Sequence, residues 1–190
     1  MPPPLFEEDH GAPHANLVGW LLQYRAATSG VLLSDNSSLR LDLDNRPQPD
    51  AYLRILATHG GRTRVAPDGY VEGAPELIVE VAASSVSRDL HDKLAAYRRN
   101  GVREYLVWRT YDFAIDWFLL GGRRDARLSA GKSGVYKSKA FPGLWLDGPA
   151  LLRGDLATVL RVVQEGIAST EHAAFVARLE KAAARRKKRE

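Results

Sequence analysis

The sequence predicts a mixed domain, α/β in the broad sense or α+β, in which a central sheet is flanked by helices. Three observations lead there. The run Leu77-Ile78-Val79-Glu80-Val81-Ala82-Ala83 has the length and aliphatic content of a strand buried on both faces. Two segments, from His14 to Ala27 and from Asp89 to Arg99, carry apolar residues at helical spacing. Between and after them lie short alternating runs separated by Gly, Pro, Asn and Asp, which read as strands and turns. Helix, strands, helix, strands is the order of a mixed sheet covered by helices.

The elements follow in order. Residues 1–13, with Pro2, Pro3, Pro4 and Pro13, read as a loose N-terminal arm. Leu17, Trp20, Leu21 and Tyr24 give the first helix its buried stripe, and Gly30 follows its end. Val31–Ser34 and Leu39–Asp44 are expected to form a β-hairpin, because Leu39, Leu41 and Leu43 alternate with Arg40, Asp42 and Asp44. A third strand, Ala51–Leu56, comes after Pro49-Asp50, and residues 58–73 are Gly-rich enough for a loop or irregular hairpin. Ser87 or Asp89 is placed to cap the second helix, and Asn100-Gly101 to stop it. Glu104–Arg109 pairs with Ala114–Leu120, and a short strand lies near Val135–Lys139. Residues 155–165 and 171–189 are helical by composition, so the chain divides into the arm, a main domain over 14–154 and a helical extension over 155–190.

At 190 residues the chain is about one ordinary domain. Cysteine is absent, which removes disulfides, thiolate metal sites and Cys nucleophiles together and fits a reducing cytoplasm. No signal-peptide pattern opens the sequence, and no apolar run approaches the roughly 20 residues of a membrane span. The expected location is therefore the cytoplasm. The net charge of +4 is uneven: from Arg178 to Glu190 the chain carries a net +5, leaving the remainder at −1. Arg185, Arg186, Lys187, Lys188 and Arg189 form a basic tail suited either to phosphate backbones or simply to solvent.

Glu80 interrupts the most apolar run in the chain, and a buried carboxylate requires a partner. Two candidates stand out. Asp50 lies at the mouth of a neighbouring strand, and Lys93 flanks the helical stripe of Leu90, Leu94 and Tyr97, from which its ammonium can reach inward. Paired carboxylates on adjacent strands suit Mg²⁺ or Mn²⁺, whose charge can activate water for phosphodiester hydrolysis, and a nearby Lys can position that water. The bland alternative is a buried Glu80–Lys93 ion pair that only fixes geometry. Asp68, in Pro67-Asp68-Gly69, also precedes Glu80, but Pro-Asp-Gly is a turn sequence, so Asp50 is preferred. The four tryptophans read as packing residues, and His10, His59, His91 and His172 show no recognised ligand spacing.

The segments Gly73–Val81, Arg88-Asp89-Leu90, Lys93-Leu94-Ala95-Ala96-Tyr97 and Gly101–Val107 resemble the Uma-type restriction endonuclease family, a bacterial branch of the PD-(D/E)xK nuclease superfamily. The resemblance runs from about His14 to the Phe141-Pro142-Gly143-Leu144 segment and is strongest over residues 75–107. It implies a restriction-endonuclease-like core and a DNA substrate, with Asp50 and Glu80 as metal ligands and Lys93 as a catalytic lysine moved from strand to helix. It also implies a phosphate or metal contact at His14 and, as for many such nucleases, a homodimer. Two departures stand beside it. Ala82 occupies the position of the superfamily's usual lysine, and the first helix carries no carboxylate. The competing expectation is a catalytically inactive descendant that binds nucleic acid or protein.

Overall fold

The computed structural model describes residues 6–83, 89–122 and 126–188. Its strands are β1 (Val31–Asp35), β2 (Leu39–Arg40), β3 (Ala51–Ile55), β4 (Arg64–Val65), β5 (Val71–Glu72), β6 (Leu77–Ala82), β7 (Glu104–Arg109), β8 (Ala114–Leu119), β9 (Ala126–Arg127), β10 (Val135–Lys137) and β11 (Trp145–Asp147). Its α-helices are α1 (Ala12–Ala26), α2 (Leu94–Arg99), α3 (Gly148–Leu152), α4 (Leu156–Ile167) and α5 (Thr170–Lys187). Six strands form the central sheet in the order β1-β3-β6-β7-β8-β9. Only β6 and β7 run parallel; the other neighbours are antiparallel, so the sheet is mixed as expected.

Side chains alternate across this sheet and build a core on each face. From β6, Leu77, Val79 and Val81 pack with Leu17, Trp20, Leu21 and Tyr24 of α1 and with Val159 and Val163 of α4. Ile78 and Ala82 point the other way, toward Tyr97 of α2, Tyr105 and Val107. Every residue of β6 is buried, which explains why the strand reads as a continuous apolar run.

Two expectations need correction. The hairpin of Val31–Ser34 with Leu39–Asp44 does not form: β1 pairs antiparallel with β3, while β2 is a two-residue strand parallel to β5 in a separate three-stranded sheet. The cause is local. Asp42 accepts from the backbone N–H groups of Asp44 and Asn45 and from the Asn45 amide, so its carboxylate organises a turn where the alternation suggested strand. Leu43 is left 89% exposed. The second correction concerns the N-terminal arm. Glu7–Gly11 form a π-helical turn that runs directly into α1, so helix begins seven residues before His14.

Other expectations hold. β7 and β8 pair with Glu104 opposite Leu119, and Gly101 adopts φ 82° after α2, the left-handed stop that Asn100-Gly101 implied. Asp68 sits in the β4–β5 turn, bound to Arg40 at 2.6 Å, away from the central sheet. Ser87 lies outside the described residues, as does any capping by the Asp89 side chain.

Three glutamates are buried along the sheet: Glu76 is 1% exposed, Glu80 3% and Glu104 1%. Their partners differ in kind. Glu104 accepts from the Trp117 indole at 3.2 Å, the Ser138 hydroxyl at 2.7 Å and the backbone N–H groups of Lys139 and Ala140 at 2.6 and 2.8 Å. Glu76 accepts from the Ile55 N–H at 2.8 Å, with Arg62 3.8 Å away. Both are structural clasps, and burial raises both carboxyls above their ordinary range.

Candidate active site at the mouth of β3

Glu80 is held differently, by side chains with chemistry of their own. Its Oε1 receives the Lys93 ammonium at 2.9 Å and the Tyr97 hydroxyl at 3.0 Å. Lys93 closes the π-helical turn Asp89–Lys93 and Tyr97 lies one turn further along in α2, so a single helix face presents both groups to one oxygen. Tyr97 is fixed in turn by edge-to-face packing on Tyr105, with ring centroids 4.9 Å apart.

Asp50 reaches the same place from the other side. The β3–β6 ladder stops at Ala51 opposite Val79, and the carboxylate of Asp50 then accepts the N–H of Val81 at 2.7 Å through Oδ2. The side chain thus continues the ladder where the backbone has turned away. The Asp50 N–H points at Glu80 Oε2, 3.4 Å away, so backbone and side chain of Asp50 meet successive residues of β6. Asp50, Glu80 and Lys93, expected from sequence to form one constellation, are therefore neighbours.

His14 also reaches this mouth, but through its surroundings. Its Nε2 faces two acceptors, Asp35 Oδ1 at 2.8 Å and the Asp50 carbonyl at 3.1 Å. That nitrogen carries a hydrogen toward both and ties β1 to the residue before β3. His10, passed over in the sequence, stacks on His14 with centroids 5.7 Å apart and planes 14° from parallel, and its Nε2 stands 3.5 Å from Asp50 Oδ1. A signal was present: His10 and His14 are four residues apart, the spacing that stacks side chains on one helix face. It was obscured because the segment before Pro13 has no apolar periodicity from which helix could be read. Ser84 and Ser85, loop hydroxyls just past β6 in the sequence and candidates for a phosphate contact, lie outside the described residues.

The basic tail is elsewhere. Arg185, Arg186 and Lys187 form the last turn of α5, and the Arg186 guanidinium donates to the Ala57 carbonyl at 3.1 Å. Ala57 follows the C-terminal end of β3, whereas Asp50 precedes its N-terminal end, so about 17 Å of strand separates them. Lys188 is exposed, and Arg189 lies outside the described residues.

A mixed sheet with helices on both faces thus carries Asp50, Glu80 and Lys93 together at one strand mouth. A family model, Uma2, described as "Putative restriction endonuclease", matches residues 1–149, and the chain belongs to that family. The fold is shared with the crystal structure of "a putative nuclease belonging to DUF820" from Anabaena variabilis ATCC 29413, at TM-score 0.55, 8% identity and 84% coverage of each chain. No curated protein matches the sequence. The helices α4 and α5 lie beyond the matched residues. Among the described residues, no helix is long and apolar enough to cross a membrane.

Proposed function

We propose that the protein is a metal-dependent endonuclease that hydrolyses DNA phosphodiesters at the mouth formed by Asp50, Glu80 and Lys93. The observation that carries this reading is that the Lys93 ammonium and the Asp50 backbone N–H both meet the buried Glu80 carboxylate, while the Asp50 carboxylate takes the next N–H along the same strand. The donor set suits Mg²⁺ or Mn²⁺. Both side chains offer hard oxygens, and Mg²⁺ commonly uses only one or two protein carboxylates, completing its shell with water and substrate phosphate. Among the described residues, no three His, Asp or Glu side chains group to hold an ion.

Asp50 and Glu80 would hold a divalent ion there, which would supply positive charge to the scissile phosphate and lower the pKa of water. The Lys93 ammonium stands where it can orient the attacking water and balance charge developing on phosphorus oxygens. The water oxygen forms the new bond to phosphorus as the bond to the leaving sugar oxygen breaks; that oxygen is protonated, and the water's proton passes to solvent. Ala82 faces the apolar core around Tyr97 and Tyr105, so the work of the superfamily's usual strand lysine falls to Lys93.

Tyr97 positions Glu80. Tyr97→Phe removes one hydrogen bond to Oε1 and should lower cleavage about tenfold, while costing about 1 kcal/mol of stability in urea denaturation. Equal cleavage by the variant would show that Lys93 alone orients the carboxylate. The tail adds contact with DNA away from the scissile bond. Replacing Arg185, Arg186, Lys187 and Lys188 with Ala should reduce the slope of log affinity against log salt by up to about 3.6, with Mn²⁺ affinity unchanged. An unaltered slope would remove the tail from the DNA interface.

A further inference from the structure

Resting on the nuclease reading above, we propose that the turn between β7 and β8 is a base-stacking element. Phe113, beside Tyr111, takes the face of an unpaired or extruded base of the DNA strand held at the mouth. The register puts this turn at the same end of the sheet. Glu80 lies opposite Val107 and Val107 opposite Asp116, and the ladder runs on through Ala82, Arg109 and Ala114 before β7 turns back into β8. The turn therefore begins two residues along and one to two strands across from Glu80, about 10 Å away at about 3.3 Å per residue and 4.8 Å per strand. That is about three steps of a stacked DNA strand at roughly 3.4 Å each.

The turn is held firmly yet leaves its aromatic residues in solvent. The Thr110 N–H donates to the Ala82 carbonyl at 3.1 Å, and the Phe113 N–H to the Thr110 carbonyl at 3.3 Å. Arg109 pairs with Asp112 and, at 2.8 Å, with Asp116, while the Tyr111 hydroxyl donates to Asp9 at 2.8 Å. On this frame Tyr111 is 55% exposed and Phe113 74%. Phe113 also has φ 47°, a left-handed conformation that strains a bulky residue and that Gly or Asn takes more readily. Neither the turn nor the core calls for phenylalanine at this position, and strain of this kind gathers at working sites. The charges of the corner cancel, Arg109 and Arg127 being matched by Asp112 and Asp116. The turn thus offers ring faces rather than a phosphate cradle. The part of a nucleic acid that fits such a surface is a base, and only a base out of its stack presents a free face.

Binding to the full chain is measured in EDTA, so that neither metal nor cleavage enters. The probes are a short oligothymidine strand and a mixed-sequence duplex of the same length. Phe113→Gly and Phe113→Asn should each bind the single strand at least about fivefold more weakly, with duplex affinity little changed. Both substitutions suit the left-handed backbone, and thermal melting checks that they fold as well as the unaltered chain. Phe113→Trp should keep the single-strand affinity, and the fluorescence it adds to that of the four native tryptophans should be quenched by oligothymidine. Unchanged single-strand affinity in the Gly and Asn variants, or an equal loss on both DNAs, would overturn the stacking role; intact plasmid nicking would then leave the nuclease reading standing without it. Selective loss in those variants, from a protein that nicks no plasmid, would keep the stacking role and remove the cleavage. A changed molar mass in light scattering with DNA affinity unaltered would also overturn it, making the turn a protein contact.

Discussion

Nicking of supercoiled plasmid in Mg²⁺ or Mn²⁺ is expected to fall at least about a hundredfold in Asp50→Asn and in Glu80→Gln, without loss of the fold. These substitutions are chosen because the structure distinguishes charge from shape. Asn at position 50 still offers an oxygen to the Val81 N–H, and Gln at position 80 still accepts from Tyr97. Each removes one negative charge from the mouth and little else. A further variant, Lys93→Met, keeps the length of the side chain and should lower cleavage by a similar factor while Mn²⁺ still binds. Plasmid nicking at unchanged rates in both carboxylate variants would reject the assigned ligands. Loss of nicking together with loss of Mn²⁺ binding would separate this reading from that of an inactive nuclease-fold module.

The second large effect concerns stability. Glu104→Ala is expected to cost about 3–5 kcal/mol and lower the melting temperature by about 10 °C, because it deprives the Trp117, Ser138, Lys139 and Ala140 donors of their shared acceptor. Those donors tie the start of β7 to the segment before β11, so the loss falls on the main core. The pH dependence has a definite sign. Desolvation raises the Glu104 carboxyl above its unfolded value, and the four donors only partly oppose this. The folded state therefore holds this proton more tightly, and the associated stability is complete below the unfolded pKa and is lost as pH rises through the folded one. Glu104→Gln has no such proton. Urea midpoints taken at increasing pH from about 4.5 should show the wild type losing stability relative to this variant. A constant difference would mean that Glu104 titrates alike in the folded and unfolded chain.

How far the sequence could lead is clearest in the three glutamates. Glu80 was conspicuous because aliphatic residues surround it on both sides, and its partners Asp50 and Lys93 were legible from strand position and helical phase. Glu76 and Glu104 are buried just as deeply but sit at strand beginnings, where acidic residues are commonplace and attract no notice. Sequence could not reveal that one buried carboxylate meets a lysine, a tyrosine and the Asp50 N–H, while the others meet mainly backbone and neutral side chains. Secondary structure was most readable where one periodicity ran unopposed, as in β6 and α1. It failed at Leu39–Asp44, where the side chain of Asp42 outcompeted an alternating pattern, and at Glu7–Gly11, whose helix has no apolar stripe of its own and buries none of its residues. His10 was lost with that second failure, because a side chain cannot be assigned to a site from a segment expected to be loose.

The position of Asp50, one residue beyond the last β3–β6 pair, has a consequence for how such a protein can change over generations. A change of length between Asp42 and Pro49 would cost local bonds such as Leu39 N–H to the Pro47 carbonyl but leave the carboxylate in place, since it is located by the register of β3 rather than by the path that leads to it. A single residue inserted within Ala51–Ile55 would instead slide Asp50 past Val81 and exchange the residues that face the two cores. Tolerance to insertion should therefore change abruptly at residue 50, and a deep scan of one-residue insertions would reveal that boundary as a step.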